Sequence, residues 1–216
     1  ASRSCARYGA RGSALLDIAA DLSDAQAKSK PHGVLIVVVG PSGAGKDSLI
    51  GFVRQRLGAD PVFLFVRRIV TRPTDGATED HDTLTPDAFA AATSQGQFAV
   101  TWEAHGLYYG IPASAADHVK AGGVAIANGS RAALPAISNA FYQIAVVHVT
   151  ARPDVLARRL AGRGREDAQS IEARLRRNLP EMEKNGTWIE IDNSGDLETA
   201  GEALLSTIRR IKQSAG

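Results

Sequence analysis

The chain has almost no cysteine: among 216 residues Cys5 stands alone, so no intramolecular disulfide can form and a reducing, cytoplasmic setting is expected. Nor does it contain an apolar run near the roughly 20 residues that span a bilayer, which excludes a membrane-spanning helix and any membrane partner it would imply. Neither sign of charge dominates. With 25 Lys and Arg against 23 Asp and Glu the formal net charge is +2, which gives no global field for nucleic acid, so affinity for anions must come from local arginines. Acidic residues are missing at the start, where none precedes Asp17 while Arg3, Arg7 and Arg11 lie among Ser, Gly and Ala. Residues 1–31 read as a flexible N-terminal extension, with an organelle transit segment as the alternative. The 44% of hydrophobic residues suffice for one sizeable core in the remainder, residues 32–214.

What is present is an alternation of strands and helices. Val34 to Val39 is a continuous β-branched run, the pattern of a strand buried on both faces of a parallel sheet. Gly40-Pro41-Ser42-Gly43-Ala44-Gly45-Lys46 comes next, and Leu49, Ile50, Phe52, Val53 and Leu57 then recur at helical spacing. Strands are predicted at Val62–Val66, Phe98–Trp102, Leu107–Tyr109, Val124–Ala127, Ile144–Val149 and Trp188–Ile191. Helices are predicted from Pro86 towards Gly96, from Pro153 until Gly162 breaks it, over about 168–184, and from Leu197 to Ile211. The stretch from Ile69 to Thr85 is polar and reads as an inserted lobe. The fold class is therefore α/β, a nucleotide-binding fold of phosphate-loop type with a central parallel sheet flanked by helices, a small acceptor lobe and an Arg-rich lid.

The glycine loop carries the chemistry. Successive backbone N–H groups at the positive end of a helix cradle phosphate oxygens, and the lysine reaches the β- and γ-phosphates. Gly40, Pro41, Ser42, Gly43, Ala44, Gly45, Lys46, Asp47 and Ser48 are the expected ATP-binding residues, with Mg²⁺ as the accompanying metal. One position is irregular, because Asp47 stands where the pattern wants a Ser or Thr hydroxyl for Mg²⁺. A carboxylate is a good Mg²⁺ ligand, yet it repels a polyphosphate when the metal is absent, so Asp47 should couple nucleotide binding to metal. The alternative is an acid that merely complements the helix dipole.

Beyond the loop the chain resembles the guanylate kinase family from about Val34 to Ile211. The resemblance rests on the loop, on Thr71-Arg72-Pro73, on Asp80-His81, on Gly106-Leu107-Tyr108-Tyr109-Gly110, and on Arg158-Arg159-Leu160-Ala161-Gly162-Arg163-Gly164 with Arg174-Leu175 behind it. It implies that Arg72 and Tyr109 hold the acceptor's phosphate, in a lobe of about 67–112. It further implies that Arg163 and Arg174, in a lid of about 162–175, act with Lys46 on the transferring group. Asn193 resembles the family's adenine-side contact, with a turn residue as the alternative. Asp75, His81 and Thr101 stand where guanylate kinases carry a second arginine, a tyrosine and the guanine-reading glutamate, so a phosphorylated acceptor without guanine is expected.

The chain is also similar to the ribose 1,5-bisphosphate phosphokinase family, through Gly45-Lys46-Asp47-Ser48-Leu49, Asn128-Gly129-Ser130-Arg131 and Arg163-Gly164-Arg165-Glu166. This resemblance implies ATP and ribose 1,5-bisphosphate as substrates, in phosphonate breakdown. Asn128, Ser130 and Arg131 lie at the carboxyl end of a strand, where open α/β sheets bind ligands, and are expected at the sugar or its far phosphate. Ser130 could instead cap a helix begun by Arg131. His81 and His105 reach the sugar or lie in inert loops. Two rival readings remain: a guanylate kinase with altered acceptor contacts, and a silent interaction module that binds a phosphorylated protein. The residues do not fix the oligomeric state, and a homodimer is kept open.

Overall fold

The computed structural model describes residues 33–72, 81–104, 106–161 and 187–215. The extension 1–31, Asp75, His105, Arg163, Arg174, the body of the lid and the helix predicted over 168–184 lie outside them.

Five parallel strands form the main sheet. β1 (Val34–Val39) lies at its centre, between β7 (Val124–Asn128) and β8 (Ile144–Thr150), with β2 (Phe63–Val66) beyond β7 and β9 (Thr187–Asp192) beyond β8. All six residues of β1 are buried, as an uninterrupted β-branched run requires when both sheet faces are covered. Alternation divides them. Ile36 and Val38 face α1 (Lys46–Leu57) and α6 (Leu197–Ala215), packing with Leu49, Ile50, Val53, Leu204 and Ile208. Leu35, Val37 and Val39 face the opposite layer, with Val119, Leu134 and Ile137. That layer holds two helices the sequence pattern does not disclose, α3 (Ala113–Lys120) and α4 (Leu134–Ala140), because eight and seven residues are too few to display a period. α5 (Pro153–Ala161) begins at its proline as expected.

A second, four-stranded sheet is built between β2 and α3 in sequence. Its order is β4 (His81–Thr83), β3 (Arg68–Val70), β6 (Leu107–Pro112), β5 (Phe98–Ala104). β5 and β6 form the expected hairpin, and the polar stretch also holds β3 and β4, three residues each: β3 takes its pairing from β6, and β4 from β3, rather than from local propensity. One face is covered by α2 (Pro86–Ser94), whose Phe89 stacks on Phe98 at 4.6 Å and on Tyr108 at 5.8 Å. On the other face Val100 and Trp102 pack with the α3–α4 layer of the main sheet.

Candidate active site

β1 ends in Gly40, whose φ of +150° and close approach to the Val149 carbonyl leave no room for a Cβ. Gly45 closes the loop with φ +85°, and there a Cβ would strike the Asn193 side chain. Because Gly45 is also the N-cap of α1 and offers no side-chain cap, the first-turn N–H groups are left for an anion. The Lys46 ammonium donates to the carbonyls of Gly40 and Pro41, both at 3.0 Å, and so is drawn back over its own loop. Leu49 N–H donates to the Gly45 carbonyl at 3.0 Å and starts the helix ladder.

Asn193 proves to be a brace for this loop. It is 2% exposed, its backbone N–H donates to Thr150 at 2.8 Å, and its side-chain amide donates to the Ala44 carbonyl at 2.7 Å. β9 therefore fixes the far side of the loop through a contact 149 residues apart in sequence, which explains why no local signal distinguishes Asn193 from a turn residue.

Asp47 lies in the first turn of α1, half-buried, and Ser48 beside it is exposed. Asn128, at the last position of β7, donates its side-chain amide to Asp47 Oδ1 at 2.5 Å. Asn128, expected at the acceptor, has its amide N–H on the phosphate-loop helix, since β7 is β1's immediate neighbour and their ends meet. Its Oδ1 is buried and has no hydrogen-bond partner among the described residues. Ser130 has an extended backbone and makes no capping bond, and Arg131 begins only a three-residue 3₁₀ turn, so the helix-cap alternative for Ser130 does not hold. Burial lowers the Arg131 pKa from its ordinary value.

On the lobe, Thr71 anchors the chain as it leaves β3. Its Oγ1 accepts from Tyr108 N–H at 2.9 Å and its own N–H donates to the Tyr108 carbonyl at 3.0 Å, which sets Arg72 at the end of β3 beside the Tyr108-Tyr109 strand. Tyr109 pairs in register with Val70 on one side and with Trp102 on the other, and its ring stacks on Trp102 at 5.4 Å, 9° from parallel. Thr101 is opposite Gly110, and so belongs to the α2 side of the sheet. The residue type at 101 therefore says little about what Tyr109's face can read; Trp102 is the side chain that shares it. Arg68 shares it too, two residues before Val70, with its guanidinium carbon 6.0 Å from the Tyr109 ring centre, and His81 is in register with Arg68. Neither Arg68 nor Trp102 stands out in the sequence, although Arg68 and Val70 alternate on one side of a strand that runs directly into Arg72.

A phosphate loop with its lysine at the carboxyl edge of a parallel sheet, faced by a lobe that carries arginine and tyrosine, defines a phosphoryl-transferring kinase of the phosphate-loop class. The guanylate kinase of Anaplasma phagocytophilum has the same fold, with a TM-score of 0.59 at 17% identity over 85% of this chain and 88% of that one. No family model matches the chain. Among curated proteins, ribose 1,5-bisphosphate phosphokinase of Agrobacterium fabrum is 47% identical over 182 residues, 84% of this chain and 98% of the relative. That of Burkholderia pseudomallei is 44% identical over 181 residues, 83% and 97%. The chain belongs to the ribose 1,5-bisphosphate phosphokinase family.

Proposed function

We propose that this protein transfers the γ-phosphoryl group of ATP to the 1-phosphate of ribose 1,5-bisphosphate, giving 5-phosphoribosyl 1-diphosphate and ADP, as a cytoplasmic step of phosphonate breakdown. An oxygen of the 1-phosphate attacks the γ-phosphorus while the bond from that phosphorus to the β,γ-bridging oxygen breaks, and the electron pair leaves with ADP. The attacking oxygen is already ionised near neutral pH, so no general base is required. Alignment and charge neutralisation carry the catalysis. Lys46 and the loop N–H groups hold the donor phosphates; Arg72 and Tyr109 take the acceptor phosphate, with His81, Ser130 and Arg131 near the sugar; Arg163 and Arg174 neutralise the transferring group. No described helix is long and apolar enough to cross a membrane.

The observation that carries the reading is the 2.5 Å bond from Asn128 to Asp47, made where phosphate-loop enzymes keep their Mg²⁺ ligands. The usual pair there is a hydroxyl after the lysine and a carboxylate from a neighbouring strand. In this chain the carboxylate comes after the lysine, and the strand offers a neutral amide that orients it. The donor set fits Mg²⁺: one carboxylate, with the unpartnered Asn128 Oδ1 close by, suits a cation held largely by substrate phosphates and water. Asp47 would hold Mg²⁺, which when bound would supply positive charge to neutralise the donor phosphates. Turnover of ribose 1,5-bisphosphate and of GMP with ATP, measured side by side, tests the assignment. The sugar bisphosphate should be preferred; preference for GMP would make this an altered guanylate kinase, and turnover of neither would revive the silent interaction module.

A further inference from the structure

An acceptor with two phosphates needs two anion sites, and the reading above gives one of them to Arg72 and Tyr109. We propose that Arg131 and His148, at the carboxyl edge of the main sheet, form the other, where the 5-phosphate of ribose 1,5-bisphosphate is seated and His148 takes up a proton to meet it. This rests on the acceptor assigned above.

The path of the chain brings the two residues to one side of the sheet. His148 is the one polar residue in the Ile144–Val149 run of β8, and it is in register with Val39, the residue before the phosphate loop, on the side where the α3–α4 layer packs. Gly129 passes so close over Val37 and Val39 that a Cβ there would strike Val37, so residues 129–131 cross the end of β1 on that same side and carry Arg131 towards His148. Arg131 arrives without a counterion: half-buried, its guanidinium makes no hydrogen bond or ion pair with any described residue. His148 is equally incomplete. Its Nδ1 faces the Glu190 carboxylate at 3.5 Å and its ring lies against Trp188 at 5.7 Å, so Nε2 points away from β9, and there it is buried with no hydrogen-bond partner among the described residues. Burial holds the imidazole neutral, the charges of Arg131 and Lys46 add to this, and Glu190 opposes them, while β1, α4 and the rest of β8 bring no titratable group. A dianion between Arg131 and Nε2 reverses that balance, because it compensates the guanidinium and favours the imidazolium, whose proton comes from solvent. The charge decides the ligand class. A hydroxyl or a water would leave the Arg131 cation uncompensated, whereas a phosphate monoester is largely dianionic near neutral pH, pairs with guanidinium bidentately and has a third oxygen to accept from Nε2–H.

The experiment crosses enzyme variants with acceptors and pH. kcat/KM is measured for wild type, Arg131→Met and His148→Gln on ribose 1,5-bisphosphate and on ribose 1-phosphate between about pH 6.5 and about pH 8. Calorimetry in buffers of different ionisation enthalpy counts the protons taken up when each acceptor, or ATP, binds. Wild type should prefer the bisphosphate by a margin that grows severalfold as the pH falls across this range, and only the bisphosphate should bind with proton uptake. Arg131→Met should lose about a hundredfold on the bisphosphate, mostly in KM, and little on ribose 1-phosphate. His148→Gln, which keeps an N–H donor but does not titrate, should abolish the proton uptake and flatten the pH dependence while keeping most of the affinity at the alkaline end. Equal losses on both acceptors in Arg131→Met would overturn the proposal, as would proton uptake that is absent from wild type or persists in His148→Gln. Proton uptake on binding ATP alone would give the pair to a donor phosphate and likewise overturn it. Should His148→Gln fail to fold, the wild-type proton count and Arg131→Met decide in the same way. If wild type phosphorylates neither sugar, the acceptor assignment itself is wrong and the subsite falls with it.

Discussion

The two halves of the site are built by different means. The donor half is local: Gly40 to Asp47 are consecutive, their geometry comes from three left-handed or extended glycines and a helix start, and Lys46 closes on carbonyls five and six residues away. The acceptor half is assembled across strands. Arg68 and Trp102 come to either side of Tyr109 only through the register of β3, β6 and β5, and no residue adjacent to any one of them states that register. A loop of contiguous residues can be read in one pass; a face shared by three strands depends on which residues alternate inward, and one step along β5 exchanges Trp102 for Thr101.

If the donor half is self-contained, damage to it should be severe whatever the acceptor. Lys46→Met should lower kcat by about a thousandfold with any acceptor, as expected when one preorganised charge on the transferring phosphoryl group is removed, while the melting temperature hardly moves; steady-state kinetics and calorimetry check both. An effect confined to acceptor KM would break the comparison.

The next test concerns the one place where a distant residue enters the donor half. Asp47→Asn should raise affinity for metal-free ATP and flatten the Mg²⁺ dependence of nucleotide binding severalfold, because it removes both the repulsion and the ligand. Asn128→Ala should shift the same dependence in the same direction by less, since the carboxylate stays but loses its orienting donor. Titration calorimetry with and without Mg²⁺ reads this directly. An unchanged Mg²⁺ dependence in Asp47→Asn would reduce the pair to helix-dipole complementarity.

Asn193→Ala leaves the buried Ala44 carbonyl without its donor and should cost about 1–3 kcal/mol of stability, with a modest rise in KM for ATP and none for the acceptor. The smallest effect lies beneath the site. His148, 5% exposed on β8, has its pKa lowered chiefly by burial, with Arg131 and Lys46 adding to this and Glu190, 3.5 Å away, opposing it. The unfolded chain then binds more protons than the folded one just below its ordinary value of 6.5, so stability falls as pH drops through that value and is retained above it. Thermal melts between about pH 5 and 7.5 should show this slope in wild type and a shallower one in His148→Gln.

Much of the fold is legible in the sequence because it rests on pattern. The Val34–Val39 run, the glycine loop, and proline at the first position of two helices each carry a local physical reason. The hidden parts need a partner elsewhere in the chain. β3 is a strand because it pairs with β6, β4 because it pairs with β3, and α3 and α4 are too short for periodicity to declare them. Asn193 resembles a turn residue until it meets Ala44, and nothing near Asn128 in the sequence announces its bond to Asp47. At the site, the residue types near Lys46 suggest their own roles. At the lobe, residue type singles out Thr101, whereas strand geometry brings its neighbour Trp102 to the side that Tyr109 occupies.

The central claim is that the phosphate loop delivers its phosphoryl group to the 1-phosphate of a sugar bisphosphate held by the lobe. Phosphorus NMR of wild-type protein with Mg²⁺, ATP and ribose 1,5-bisphosphate tests it most directly, because the position of the new bond is visible. ADP should appear together with coupled diphosphate resonances attached at the sugar's C1, while the 5-phosphate remains a monoester. ADP formed with release of inorganic phosphate, or phosphorylation at any other position, would contradict it.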